Sequence, residues 1–440
     1  MDTITYRTLV QRAWPIILAN TAVPILGLVD TAIIGNVGNT EDLGAIALGA
    51  LVYSFLFWSF GFLRMATTGF VAQAAGAGRE DEIQAIVLRA LLLALVLGIV
   101  LVIMQVPMAE LVFHLFSASA DVENTARDYF LLRVWSAPST FATFALFGTL
   151  IGLGKSRVVL GMQLFLNGTN ALLDIIFAGV LGWGVTGIAV GTMLAEWSTF
   201  LLGAFVVFNI LRARNGGQIA KVGLAVVLEH KAILQTFIVN RDIFLRTLAL
   251  VFAFAWFNNQ SIMLGDVVLA ANHILVQFIG FSAFFLDGYA MVAEAVVGSA
   301  LGARRLTDFD CAVRRTTVLA AGTAALLAIL LWLGGSFFIA ALTNIEEVRG
   351  LAVQYLGMAA LYILLSAYAF QLDGIFIGAL CSRQMRDAQL LPVAGYLLAW
   401  GLLTPVYGNT GLWLAFIIYV LLRAVTLLLY YPALRRTLLA

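Results

Sequence analysis

Charge is scarce in this sequence: Asp, Glu, Lys and Arg make up 11% of 440 residues, while 62% are hydrophobic. Soluble domains carry about 25% charged and about 45–50% apolar residues. A water-soluble globule is therefore excluded, and a mean hydropathy of +0.99 makes lipid the natural solvent. Cysteine is nearly absent. Cys311 and Cys381 are the whole complement, which excludes a disulfide framework. Both fall beside positively charged loops expected in the cytosol, where thiols stay reduced. The histidines, His114, His230 and His273, have no His or Cys partners at metal spacing. No Lys/Arg-rich run or basic tail offers a surface for nucleic acid, and no P-loop couples the chain directly to ATP. No cleavable secretory leader is expected. The apolar stretch after Arg12 is broken by Pro15, Pro24 and Asp30 and reads as a retained first span.

What remains is an all-α membrane protein. Windows of about 20 apolar residues predict twelve helices, near 13–36, 46–76, 86–108, 128–153, 158–181, 185–210, 243–263, 267–301, 313–339, 351–380, 388–406 and 410–433. With the N-terminus in the cytosol, alternation places most of the 25 basic residues inside, among them Arg79, Arg89, Arg157, Lys221, Arg246, Arg305, Arg315, Arg383 and Arg435. Arg127, Arg133 and Arg349 fall outside, and Arg64 and Arg423 within spans. Such a bias puts both termini in the cytosol and supports an even number of spans.

The two halves repeat at an offset of 226. Arg79 maps to Arg305, Arg89 to Arg315, Tyr129 to Tyr355 and Gln163 to Gln389. Gly148-x3-Gly152-x3-Ser156-Arg157 maps to Gly374-x3-Gly378-x3-Ser382-Arg383. Six spans per half make the repeat parallel, about an axis along the membrane normal. The expected organisation is a six-helix lobe over 1–215, a cytoplasmic connection over 216–242 and a second six-helix lobe over 243–440.

An ionisable group inside a span costs at least about 2.5–3.5 kcal/mol and normally faces the bundle interior. Asp30, Asp174, Glu196, Asp287, Glu294 and Asp373 fall in the spans, against Arg64 and Arg423. An acidic interior favours protons, sodium ions or cationic cargo. Asp30 lies eight residues before Gly38 and Asp174 eight before Gly182, beyond two outward spans, and Thr192 lies eight residues after Gly184, from which the next span returns, so all three share a depth of roughly 12 Å below the outer surface. Gln163, Asn167, Asn170 and Asp174 occupy one helical face. Oxygens gathered so can hold a proton or a hard cation, or simply bond helix to helix. Pro24, six residues before Asp30, removes a helix hydrogen bond, and a bend there would couple protonation to shape; a static kink is the plainer alternative. Asp287 and Glu294 share a face, and Glu294 has pairing with a cytosolic arginine as its alternative role. The offset sends Asp30 to Trp256 and Asp174 to Trp400, so the repeat keeps its scaffold but not its carboxylates.

Several of these stretches together resemble the multidrug and toxic compound extrusion (MATE) family, and within it the DNA-damage-inducible protein F (DinF) branch. They are Pro24-x5-Asp30-x4-Gly35, Val71-Ala-Gln73-x2-Gly76-Ala-Gly78-Arg79, Gly148-x3-Gly152-x-Gly154-Lys155-Ser156-Arg157, Asn170-x3-Asp174 and Asp287-Gly288-x-Ala290. The resemblance implies two six-helix bundles around a cleft and a monomeric antiporter in the bacterial inner membrane. It would export amphipathic, cationic small molecules with no cofactor and no enzymatic step. It implies a cation-coupling site at Asp30, Asn170, Asp174 and Thr192. Asp287, Glu294 and Asp373 stand as second-lobe or substrate-binding candidates. Asp373 matches an acidic position of the family's sodium-coupled members, but the glutamate they carry in the seventh span has no counterpart here, which points to protons. Two rivals are a lipid-linked precursor flippase, whose anionic cargo would want more than two intramembrane arginines, and a membrane enzyme, for which no catalytic set is present.

Overall fold

A computed structural model describes residues 4–114, 120–218 and 223–438; Lys221, among the basic residues assigned to the cytosol, lies outside them. The described chain is helical, with no strand among the described residues. The helices are α1 (Tyr6–Val37), α2 (Thr40–Trp58), α3 (Phe62–Gly76), α4 (Glu80–Ile103), α5 (Gln105–Phe113), α6 (Ala120–Val134), α7 (Ala137–Gly152) and α8 (Ser156–Asp174). A π-helical turn, Ile175–Val180, separates α8 from α9 (Gly184–Arg214). Then come α10 (Leu224–Val227), α11 (His230–Met263), α12 (Asp266–Gly302), α13 (Leu306–Leu342), α14 (Glu346–Gly378), α15 (Ser382–Tyr407) and α16 (Asn409–Arg436).

Among the described residues, ten helices are long and apolar enough to cross a membrane, or eleven if the pair Asp121–Val134 and Ala137–Gly152, bent by 54°, counts as one span. The predicted span 243–263 belongs to α11, which at 34 residues is long enough but carries Arg246, Asn258, Asn259 and Gln260. That polarity keeps it below the apolar threshold the others pass.

Two compact units emerge. The first lobe is Leu18–Ala75 with Arg79–Gln235; the second is Met1–Ile17, Gly76–Gly78 and Thr236–Ala440. Packing in both runs opposite to that of a soluble protein. Along α13 the buried stripe is Phe309, Ala312, Thr316, Ala320, Ala324 and Ala328, while Leu326, Ile329, Trp332 and Phe337 are exposed. Lipid tails are as apolar as leucine, so helices associate through small residues that let backbones approach.

The 226 offset holds in helix packing. In the first lobe a Cβ at Gly148 would collide with the Arg64 carbonyl, and one at Gly152 with the Thr68 carbonyl. In the second lobe Gly374 meets the Ala290 carbonyl and Gly378 the Glu294 carbonyl. Each of these four partners is related by the same offset. Left-handed backbone recurs as well. Gly78 (φ 70°) corresponds to Arg304 (φ 53°), and Gly154 (φ 69°) to Leu380 (φ 57°). The second half keeps the turn after losing the glycine that suits it.

Candidate functional site

In the first lobe α1 supplies Asp30, α8 supplies Asn170 and Asp174, and α9 supplies Thr192; all four are buried. The Asp30 and Asp174 carboxyl groups lie within interaction distance of each other. Asp174 ends α8, at the point where the winding changes to the π turn, a local rearrangement often found at functional sites. It fits because residue 191 is glycine: a Cβ there would overlap Asp174 Oδ1. Asn170 Nδ2 donates to Thr192 Oγ1 at 2.8 Å, and that hydroxyl donates to the Ile188 carbonyl at 2.8 Å. Thr192 is thus committed to aiming Asn170. Asp30 Oδ1, both Asp174 oxygens and Asn170 Oδ1 are buried with no hydrogen-bond partner among the described residues. Unpartnered oxygens concentrated in one place, with no donor to satisfy them, suit a proton or a metal cation.

The same face of α8 binds α1 lower down. Gln163 Nε2 donates to Asn167 Oδ1 at 3.0 Å, and Asn167 Nδ2 donates to the Ala22 carbonyl at 2.8 Å, two residues before Pro24. These amides hold helix to helix, beside the turn where proline withholds a hydrogen bond from α1.

An ion pair of buried Arg133 with half-buried Glu196 adjoins the carboxylates. Arg133 Nη2 donates to Glu196 Oε1 at 3.1 Å. Thr140 Oγ1 and the Tyr53 hydroxyl donate to Glu196 Oε2 at 2.9 and 3.1 Å. The Arg133 guanidinium stacks 3.9 Å from the centre of the Tyr53 ring, and its charge reaches both Asp30 and Asp174. This corrects the placement of Arg133 in an outside loop. Arg246, expected in a cytosolic segment, is likewise buried within α11. Each lies a few residues inside a predicted span, 128–153 and 243–263, and that position is the available signal. Arginines near a span end usually snorkel to the interface, but α6 and α11 begin well before the predicted spans, and both side chains are buried among their neighbours.

In the second lobe Asp373 Oδ2 accepts hydrogen bonds from Arg246 Nη2 and from Arg423 Nη2, the latter at 2.8 Å. All three residues are buried. The expectation of only two intramembrane arginines is corrected here: two guanidiniums surround one carboxylate. Glu294 is buried and Asp287 half-buried, on α12. Asp242, also buried, accepts from Arg386 Nη1 at 3.0 Å and from Ser382 Oγ at 3.2 Å.

Two bundles of long, lipid-facing helices with charged groups in their interiors define a polytopic α-helical membrane transporter. The MatE family model matches residues 15–176 and 243–383, and the chain belongs to that family. It is 36% identical over 421 residues to DNA damage-inducible protein F of Escherichia coli (strain K12), covering 94% of this chain and 89% of that one. It is 25% identical over 442 residues to a probable multidrug resistance protein NorM of Acinetobacter baylyi, covering 94% and 93%. Its fold matches a multidrug resistance MATE family transporter in an outward-facing conformation, with a TM-score of 0.86 at 18% identity, covering 98% and 96%.

Proposed function

We propose that this chain exports amphipathic, cationic small molecules in exchange for protons, with Asp30 and Asp174 carrying the coupling proton. The reading takes the chain as a monomer in the bacterial inner membrane, both termini cytoplasmic, with lobes over 1–215 and 243–440 joined by 216–242. The observation that carries it is the facing pair of buried carboxyl groups, three of whose four oxygens have no hydrogen-bond partner among the described residues. Two like charges in dry surroundings repel strongly, and one proton between them removes the repulsion. Protonation from outside lets α1 settle against α8 and α9; loss of the proton inside drives them apart. Pro24 and the Asn167 bond to the Ala22 carbonyl place the yielding turn of α1 next to that event. Alternating access follows from rocking of the two repeats.

A second reading has its own support. The unpartnered oxygens of Asp30, Asn170 and Asp174 also make an oxygen-rich nest for sodium. Purified protein in vesicles, loaded with a fluorescent cationic dye and given separate pH and sodium gradients, decides between them. Dye export driven by the pH gradient without sodium is expected. Export that follows sodium and ignores pH would overturn proton coupling and leave the transporter in place.

A further inference from the structure

We propose that the second lobe holds a headgroup site for an anionic phospholipid, with Arg314 as the group that selects it. The inference is independent of the coupling ion and of which side of the membrane the N-terminus faces.

A cavity is the starting point. Where α1 and α13 begin, both within the second lobe, Tyr6, Asp310, Cys311, Arg314 and Arg315 line a recess of about 390 Å³. That size suits a small-molecule group. The acidic residues here are already paired. Asp310 accepts from Arg435 Nε at 2.9 Å and from Arg435 Nη2 at 2.7 Å, a bidentate pair that uses both carboxylate oxygens. Asp308 pairs with Arg305 at 3.6 Å. Arg315 donates from Nη1 to the Ile4 carbonyl, and its guanidinium lies 5.5 Å from the centre of the Tyr6 ring. Arg314 is exposed, with no hydrogen bond or ion pair among the described residues. Two guanidiniums thus line the recess, and its one carboxylate is taken by a third.

The first lobe serves as a control. At the 226 offset Arg315 corresponds to Arg89. Arg89 likewise holds main chain just ahead of a long helix: Nε donates to the Val227 carbonyl at 3.1 Å and Nη2 to the Val226 carbonyl at 3.2 Å. That clamp is what the two halves share. Arg314 corresponds to Leu88, which is exposed like it. An apolar side chain serves the scaffold at this place, so packing does not call for the charge. A cation added at the wall of a cavity calls for an anion.

The surroundings select the rest of the ligand. Tyr6, Val10 and Trp14 are exposed at steps of four along α1, and Arg314, Val318, Gly322 and Leu326 at steps of four along α13. Residues four apart share a helical face, so each stripe leads from the recess along the apolar, lipid-facing surface. Basic pockets between membrane helices take up the headgroups of anionic lipids, and an apolar stripe running away from one suits the acyl chains. A free phosphate ion would use the arginines and leave the stripes idle.

The test uses the full-length protein in detergent, with bound lipid counted by native mass spectrometry. The probes are phosphatidylglycerol, phosphatidylethanolamine and inorganic phosphate. The first phosphatidylglycerol should bind about fivefold or more tighter than phosphatidylethanolamine. It should also slow alkylation of Cys311, in the recess, several-fold and leave Cys381 unchanged. Arg314→Leu should weaken phosphatidylglycerol about fivefold and remove the protection of Cys311. Arg157→Leu deletes an exposed charge of the first lobe and should change neither. If Arg314→Leu fails to fold, Arg314→Gln should show the same losses. Equal binding of the two lipids, equal losses in the Arg314 and Arg157 variants, or an unprotected Cys311 would overturn the site. Lipid that binds only after Asp2→Asn, at a position outside the described residues, would mean that the chain supplies its own anion and would overturn it too. Inorganic phosphate that displaces the lipid at similar concentrations would overturn a phospholipid as the ligand.

Discussion

Asp30 and Asp174 face each other in the first lobe. At the same offset in the second lobe Trp256 and Trp400 face each other, edge to face at 5.0 Å. Asn170 corresponds to Tyr396, buried like it. The duplicated backbone has kept the encounter between the two helices and exchanged what meets there. At these matched positions one lobe presents carboxyl and amide oxygens without donors, and the other presents Trp256 Nε1, Trp400 Nε1 and the Tyr396 hydroxyl without acceptors. The second lobe has in addition two arginines, Arg246 and Arg423, where the first has Asn20 and Trp197. A repeat therefore preserves geometry, and the charge written onto it decides which ions each copy attracts.

The sharpest way to break this comparison is to neutralise its acidic side. Asp30→Asn or Asp174→Asn should reduce gradient-driven export in vesicles about a hundredfold or more, equivalent to roughly 2.7 kcal/mol of coupling, with normal membrane insertion. Substituting Trp400→Phe should leave the ion dependence of export unchanged. Full export by a well-expressed Asp174→Asn protein would remove the distinction between the lobes.

Next in size is the ion pair beside the carboxylates. Arg133→Gln leaves half-buried Glu196 without its cation and should destabilise the protein by roughly 3–5 kcal/mol. The double variant Arg133→Gln, Glu196→Gln should recover a large part of that loss. Thermal unfolding in detergent reads both, and a single variant as stable as wild type would show that the pair carries no burden.

Packing at the repeated glycines tests what the lobes share. Gly152→Ala and Gly378→Ala each push a methyl group at a facing carbonyl, of Thr68 and Glu294. Each should cost about 1–3 kcal/mol. A large effect in one lobe alone would mean that only that interface is tight. The smallest effect is at the matched turns. Leu380→Gly should raise stability by about 1 kcal/mol through relief of left-handed strain, and Gly154→Leu should lower it by about as much.

Legibility differed by the kind of residue. Asp30 and Asp174 stood out because a carboxylate in an apolar run is conspicuous, and their common depth followed from counting residues at a fixed rise. Gly148 and Gly374 were visible as a repeated spacing, though not that each meets the residue at the matching place in its own lobe. Arg133 and Arg246 were misplaced because each lies only a few residues inside a predicted span, where a long basic side chain is expected to reach the nearer surface, while the helices begin well before those spans. Gly191 gave no signal, since its role is to leave room for an atom seventeen positions earlier in the chain.

The sequence alone determined the solvent, the helical class and the twofold repeat, because composition, apolar run length and residue spacing are properties of the chain taken in order. It also determined which side chains were too costly to be in lipid without a purpose. Only the tertiary structure decided which of those side chains meet. Asp373 reads as a free acid in the sequence and is neutralised by Arg246 and Arg423 in the fold. Thr192 reads as a ligand oxygen and is spent on orienting Asn170. The sign of a buried site is a sum over neighbours separated by 50 to 127 residues, as at Asp373, and it exists only once the helices are packed.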